Sequence, residues 1–352
     1  MTPQEWQRYE RHLALPEITP AHQKRLKQAR ILMVGAGGLG AAALPYLAGA
    51  GIGHITIMDH DTVDVTNLHR QTIYKTSEVG QSKATLTADY IRSLNPYCDV
   101  MAIEGRFGDA KIQNEELSGF DIILDGSDNF STKILLNQTA ISAKIPYITA
   151  SVSRFEAMIA ILAGHLQDAP CYNCLFPDTP KNACNCNESG VLGTVPGLAG
   201  LYQAHLTLCY LLGIGEVKTG TILSLQFDTF RLKMLQLEKD PSCPTCSGQI
   251  SASHPSRPEI RNEEILLCGR SDLDPKRTLI IDVREPYETA ADPVAGAVNI
   301  PLATLPQRLS DLPRDKRLAL VCAANVRSRM GAQILRECGF DNVCILDKAR
   351  AA

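Results

Sequence analysis

A buried strand that runs into a glycine-rich turn, with an acid at the end of the next strand, constrains this chain more than any other feature. Residues 31–40 read Ile-Leu-Met-Val-Gly-Ala-Gly-Gly-Leu-Gly, and Asp59 closes the following apolar run, Ile55-Thr-Ile-Met. The pattern predicts a βαβ unit of a doubly wound α/β sheet, an architecture that offers a helix N-terminus to nucleotide phosphates and an acid to a ribose. Gly35 is expected to make the tight turn, Gly37 to let the backbone approach the phosphates, and Gly40 to let helix and strand pack closely; Gly38 shares the same loop. Alone, the fingerprint says only that a nucleotide binds, and a nucleotide-dependent oxidoreductase is the ordinary reading.

The residues that follow point elsewhere. Asn67 and Arg70 lie in Asp59-His-Asp-Thr-Val-Asp-Val-Thr-Asn-Leu-His-Arg-Gln71, and Lys83 closes Val79-Gly-Gln-Ser-Lys. A dehydrogenase has little use for this group behind its ribose acid. An enzyme that breaks a triphosphate does, because charge accumulates on phosphoryl oxygens in the transition state. A third apolar strand, Asp121-Ile-Ile-Leu-Asp125, leads into Gly-Ser-Asp128-Asn129, which places a carboxylate at the sheet edge where ligands bind. Asp128 can hold Mg²⁺ there. The local sequence also allows it to cap a helix starting near Phe130.

With 352 residues, one large and one small domain are expected. A formal net charge of −3 argues against a nucleic-acid-binding surface. The first twenty residues carry Glu5, Arg8, Glu10 and Arg11 without an apolar run, so no signal peptide is expected. The most apolar helix candidate, Gly197 to Gly213, contains Gln203 and His205 and reads as a buried core helix that leaves no membrane partner. These readings favour a cytoplasmic enzyme.

In such a setting the twelve cysteines point to metal and sulfur chemistry instead of disulfides. Cys171/Cys174 and Cys243/Cys246 form two C-x-x-C pairs, enough thiolates for a tetrahedral structural Zn²⁺ if the fold unites them. Cys184 and Cys186 lie in a polar loop ahead of Gly190-Val-Leu-Gly, where a helix N-terminus tends to lower a thiol pKa. The polar, proline-bearing run from Ser247 to Pro258 reads as a linker, giving domains at 1–249 and 260–352 joined by 250–259. In the second domain, Leu318-Ala-Leu-Val-Cys322 leads into Ala-Ala-Asn-Val-Arg327-Ser328 and a helix. Strand, cysteine, short loop and helix make a cradle for a bound anion, which for sulfur chemistry is a cysteine persulfide.

The run from Arg8-Tyr-Glu-Arg11 through Gly-Ala-Gly-Gly-Leu-Gly, Asn-Leu-His-Arg-Gln, Val-Gly-Gln-Ser-Lys and Asp-Gly-Ser-Asp-Asn resembles the HesA/MoeB/ThiF family over about residues 5–248. These are bacterial relatives of ubiquitin-activating enzymes. The resemblance implies ATP-dependent adenylation of the C-terminal glycine of a ubiquitin-like sulfur-carrier protein ending in Gly-Gly. It assigns Asp59 to ribose, Asn67, Arg70 and Lys83 to phosphates, Asp128 to Mg²⁺, and Arg11 to the triphosphate of the neighbouring subunit of a homodimer. It also implies zinc on the two C-x-x-C pairs and sulfur transfer at Cys186.

Asp282-Val-Arg-Glu-Pro, Gly296-Ala-Val-Asn-Ile-Pro301 and the Cys322 loop resemble a rhodanese domain. The sequence departs from that pattern at Asn325, where glycine is usual, at Asp292-Pro-Val, and from Asp347 onward. The combined resemblance implies that Cys322 takes sulfur from a donor such as thiosulfate or a cysteine desulfurase, and that its persulfide attacks the acyl-adenylate to give a thiocarboxylate. Molybdopterin, thiamin, cysteine or another sulfur-bearing metabolite would be served. The alternatives are adenylation alone with a degenerate docking domain, or a non-catalytic carrier-binding scaffold.

Overall fold

The computed structural model describes residues 1–108, 117–177, 190–247, 265–323 and 325–347. The chain divides into two compact units, Arg25–Glu259 and Met1–Lys24 with Ile260–Ala352. The described helices are α1 (Pro3–Arg8), α2 (Glu10–Leu13), α3 (Pro20–Gln28), α4 (Gly38–Ala50), α5 (Lys83–Leu94), α6 (Phe130–Ala143), α7 (Tyr172–Leu175), α8 (Thr194–Leu212), α9 (Pro286–Ala291) and α10 (Val326–Glu337).

The larger unit is built on an eight-stranded sheet of β1 (Arg30–Val34), β2 (His54–Asp59), β3 (Asp99–Glu104), β4 (Ile122–Asp125), β5 (Tyr147–Ser153), β6 (Glu156–Leu162), β7 (Thr221–Gln226) and β8 (Arg231–Gln236). Its order is β3-β2-β1-β4-β5-β6-β7-β8; the first five run parallel and the last three add antiparallel pairs. Ile31, Leu32 and Met33 of β1 are fully buried, as expected of a central parallel strand covered on both faces. The chain leaves β1 for β2 on one side and reaches β4 on the other. The crevice at the C-terminal ends of β1 and β4 is therefore the topological switch point of the sheet, where ligands enter such folds.

The strand–turn–helix reading of the glycine loop holds in detail. Gly35 has φ +98°, and a Cβ there would lie 2.7 Å from the carbonyl of Gly126 in the neighbouring strand end. A Cβ on Gly40 would sit 2.2 Å from the Gly35 oxygen. Both positions thus require glycine, the first by conformation and contact, the second by close packing.

The apolar segment near residue 200 is α8, a buried helix ended by Gly213 in the left-handed conformation. Its buried Gln203 donates from Nε2 to the carbonyls of Asp125 (2.9 Å) and Ile148 (3.1 Å), tying the helix to the strand ends under the crevice. Among the described residues no helix is long and apolar enough to cross a membrane.

The smaller unit holds a five-stranded parallel sheet of β9 (Leu267–Cys268), β10 (Thr278–Asp282), β11 (Ala297–Asn299), β12 (Arg317–Val321) and β13 (Val343–Leu346), ordered β11-β10-β12-β13-β9. Helix α2 belongs to this unit, and Glu10 pairs with Arg327 of α10 (3.8 Å). The first 24 residues, read from sequence with the first domain, therefore group with the C-terminal residues. Buried Arg284 clamps Asp282 through Nε (2.9 Å) and Nη2 (2.6 Å), and its Nη2 also donates to the Asp292 carbonyl (2.8 Å). The unusual Asp292 is thereby part of the scaffold of this unit.

Candidate active site and metal centre

A cavity of about 1370 Å³ opens at the switch point of the larger sheet. Gly35, Gly37, Gly38, Asp59, Asn67, Arg70, Lys83 and Asp128 all line it, so strand ends, loops and a helix start bring the sequence-selected residues together. Gly40 is set back from the lining and serves the packing described above.

Asp59 ends β2 and is almost fully buried. Its Oδ2 accepts from the Ala36 N–H (2.6 Å) and its Oδ1 from the Asp61 N–H (2.7 Å), so the carboxylate is fixed against the glycine loop. Burial pushes its pKa above the ordinary value, while the two backbone donors and Lys83 pull against that rise. Tyr74 supports the same loop by donating to the Ala36 carbonyl (2.8 Å). Lys83 starts α5 with its chain buried, and its ammonium meets Asp61 at 3.2 Å. Arg70 is held over the loop by the Thr66 carbonyl (3.0 Å) and the His69 ring (2.8 Å). Lys83 and Arg70 thus line the same cavity as the glycine loop, a grouping that suits a polyanion.

Asp128 is exposed into the cavity and does not cap a helix. Asn129 is the N-cap of α6 and accepts from the Thr132 N–H (2.9 Å). Beneath this loop lies a buried network that sequence reasoning missed. Asp125 is fully buried; its Oδ2 accepts from Lys133 Nζ (2.8 Å), the Tyr147 hydroxyl (2.7 Å) and Thr149 Oγ1 (2.7 Å). Its Oδ1 accepts from the Ser127 N–H (2.9 Å) and hydroxyl (2.5 Å). Burial would raise this acid, but Lys133 and the hydroxyl donors outweigh it and hold the pKa below the ordinary value. The acid pins the loop that presents Asp128. Lys133, the one charged residue of α6, was the available signal. Gln71, which closes the Asn-Leu-His-Arg-Gln run but was given no role, and Arg106, which no quoted motif contains, also line the cavity.

The four cysteines of the two C-x-x-C pairs converge, with all sulfurs within 4.8 Å of one another. Cys171 and Cys243 lie 3.7 Å apart, Cys174 and Cys246 3.6 Å, and Cys171 and Cys174 3.9 Å. A tetrahedron with ~2.3 Å metal–sulfur bonds has edges of about 3.8 Å, so the donor set fits zinc. Burial and the neighbouring sulfurs push the Cys171 thiol up to about 11. A cation among them would remove that mutual cost. Cys184 and Cys186 lie outside the described residues.

In the smaller unit, Cys322 follows β12 and is 1% exposed. Its sulfur receives the Ser328 N–H from the first turn of α10 (3.4 Å) and contacts the Ser328 hydroxyl (3.4 Å). Asn325 caps that helix at φ +59°, ψ 0°, the left-handed conformation that the sequence gives to asparagine where the resembled family has glycine. Arg327 is fixed beside the turn by a bidentate pair with Glu288 (2.6 and 2.7 Å). Arg11 lies exposed on α2, in the same unit as Cys322.

Residues 9–245 match the ThiF family and residues 270–350 the rhodanese-like domain. The chain is 35% identical to the probable adenylyltransferase/sulfurtransferase MoeZ of Mycobacterium tuberculosis over 357 residues, 95% of this chain and 89% of that one. It is also 35% identical to the sulfur carrier protein adenylyltransferase of Thermus thermophilus, covering 76% of this chain and 98% of that one. A crystal structure of E. coli MccB with AMPCPP and MccA superposes with a TM-score of 0.54 over 64% of this chain and 69% of that one; at 22% identity the likeness is one of fold.

Proposed function

The chain belongs to the ThiF family, and from that premise we propose that it adenylates the C-terminal glycine of a ubiquitin-like sulfur-carrier protein and converts it to a thiocarboxylate. The observation that carries this reading is the convergence of Asp59, Asn67, Arg70, Lys83 and Asp128 on one cavity around the glycine loop. A carboxylate is unreactive because its leaving group would be oxide. Attack of that carboxylate on the α-phosphorus of ATP expels pyrophosphate and leaves an acyl-adenylate with AMP as leaving group. The nucleophile is already ionised, so alignment and charge neutralisation by Lys83 and Arg70 suffice and no general base is needed. Asp59 would hold the ribose. Asp128 would hold Mg²⁺, which when bound neutralises phosphate charge. Arg11 would complete the triphosphate site from the partner subunit of a homodimer.

Adenylation is assigned to 1–249 and sulfur transfer to 260–352, with 250–259 as linker. Cys322, loaded by thiosulfate or a cysteine desulfurase, would carry a persulfide whose terminal sulfur displaces AMP. The resulting acyl-disulfide would be opened by the Cys186 thiol, releasing the thiocarboxylate and leaving a disulfide for a cellular thiol to reduce. Tethering makes the transfer intramolecular, so a modest persulfide population is enough. Zn²⁺ on Cys171, Cys174, Cys243 and Cys246 would clamp the first domain and, with no open coordination position, stay out of the chemistry. The setting would be cytoplasmic.

Labelled pyrophosphate should exchange into ATP only in the presence of a Gly-Gly-terminated carrier. Lys83→Ala and Asp128→Ala should each lower exchange by orders of magnitude. Near-normal exchange in both variants would overturn the site assignment.

A further inference from the structure

The rhodanese-like unit holds a second cysteine pair that the sulfur-transfer reaction does not use. Cys268 lies on β9 and Cys344 on β13, which are adjacent in the parallel sheet with Leu346 opposite Cys268. Both cysteines pack into one small cluster with Ala319, Val321 and Leu346, so their side chains share a face of the sheet. Their sulfurs are 2.7 Å apart, while three pairs within the zinc-type cluster are 3.6, 3.7 and 3.9 Å apart and all four lie within 4.8 Å of one another. That separation is within about 0.7 Å of a bonded sulfur pair. No metal geometry is offered here: among the described residues, the metal-competent cysteine group is the four-sulfur set in the other unit.

We propose that Cys268 and Cys344 form a reversible disulfide that staples the first strand of this unit to its last. A low-molecular-weight disulfide, RSSR, is the oxidant. One protein thiolate attacks it, forming a mixed disulfide and expelling RS⁻; the second thiolate then attacks the protein sulfur and expels the other RS⁻. Two protein thiols are oxidised, one RSSR is reduced to two RSH, and the protein protons end on the released thiols. Access is through β9, a two-residue edge strand made of Leu267, 45% exposed, and Cys268, and preceded by Leu266, 70% exposed. Burial, then Cys268, push the Cys344 thiol up to about 12, so exchange at Cys344 is slow; Cys268, on the edge strand, is placed to make the first attack. The closed loop contains Cys322. Oxidation therefore stiffens the sulfur-carrying unit without consuming its persulfide cysteine.

The test is incubation of the full chain with oxidised glutathione, quenching with N-ethylmaleimide, and peptide mass spectrometry. A peptide joining Cys268 to Cys344 is expected, with a rise of several degrees in the melting of this unit that dithiothreitol reverses. Cys268→Ser and Cys344→Ser should each abolish both the linkage and the rise. Exposed Cys338 reports in the same sample that the oxidant is active. Cys338 glutathionylated while Cys268 and Cys344 remain free, or each carrying its own glutathione, would overturn the proposal, and the wild-type map decides this even if a variant fails to fold.

Discussion

On the proposed function, the cavity of the larger unit and the Cys322 turn of the smaller one would solve the same problem, holding an anion, in opposite ways. The cavity is wide and gathers its donors from the ends of β1, β2 and β4, the loop carrying Asn67 and Arg70, and the start of α5. The Cys322 turn is a single short run in which one sulfur, 1% exposed, meets the first turn of the helix that follows it. A triphosphate carries charge over many ångströms, so its donors must come from many places in the chain. A persulfide carries charge on one atom, and one helix start is enough. Each site has an acid that fixes a base beside it: Asp125 with Lys133 under the first, Glu288 with Arg327 beside the second. The first pair is buried and built into the core; the second is partly open to water.

If this contrast is right, the two sites are separable by substitution, and the largest effect should come from Cys322→Ala. That variant should exchange pyrophosphate like the wild type while losing nearly all thiocarboxylate formed with a protein persulfide donor, read by mass spectrometry of the carrier. Excess sulfide should restore the product, because it attacks the adenylate directly. Thiocarboxylate made at the wild-type rate without Cys322 would reduce the smaller unit to a docking module.

How much of this was legible follows the same division. The glycine loop, Asp59 and the Cys322 turn are contiguous in sequence, so local pattern carried them, down to the left-handed Asn325. Asp128 was ambiguous because its position suits a metal ligand and a cap for α6 alike, and the structure gives the cap to Asn129. The network around Asp125 joins a strand end to α6 and β5, and Cys268 meets Cys344 across 76 residues; no spacing rule reaches that far. Likewise nothing in the first 24 residues announces that they group with the last strands of the chain. The two C-x-x-C pairs were visible as pairs, but their convergence depends on the antiparallel edge β6-β7-β8 folding back.

A second test sharpens the contrast on the side of stability. Cys174→Ser or Cys246→Ser should lower bound zinc from close to one per chain and depress the melting of the larger unit, because metal affinity is part of its folding energy. The smaller unit should melt unchanged. Metal analysis and calorimetry on the same samples check this. A folded, metal-free protein with wild-type melting would show that the four sulfurs meet without holding an ion.

The smallest effect is expected at Glu288, and its sign follows from the direction of its shift. The hydrogen bonds from Arg327 hold the Glu288 carboxyl down at about 2, against an ordinary 4.5. A depressed folded value means that the pair contributes its full stability above pH 4.5 and loses it as the pH falls towards 2. Both side chains are about one-fifth exposed, 23% for Glu288 and 21% for Arg327, so solvent screens the pair and the contribution is modest. Glu10 also reaches Arg327 and keeps a partner for it when Glu288 is neutral. Glu288→Gln should therefore melt slightly below the wild type near neutrality, and the two curves should converge as acid protonates the wild-type carboxyl. Parallel melts of the two proteins across that range provide the measurement. A gap that stays constant down to pH 2 would mean that Glu288 supports the Cys322 turn by packing and not by charge. In that case Arg327 would no longer mark a second paired site, and the parallel with Asp125 and Lys133 would fail.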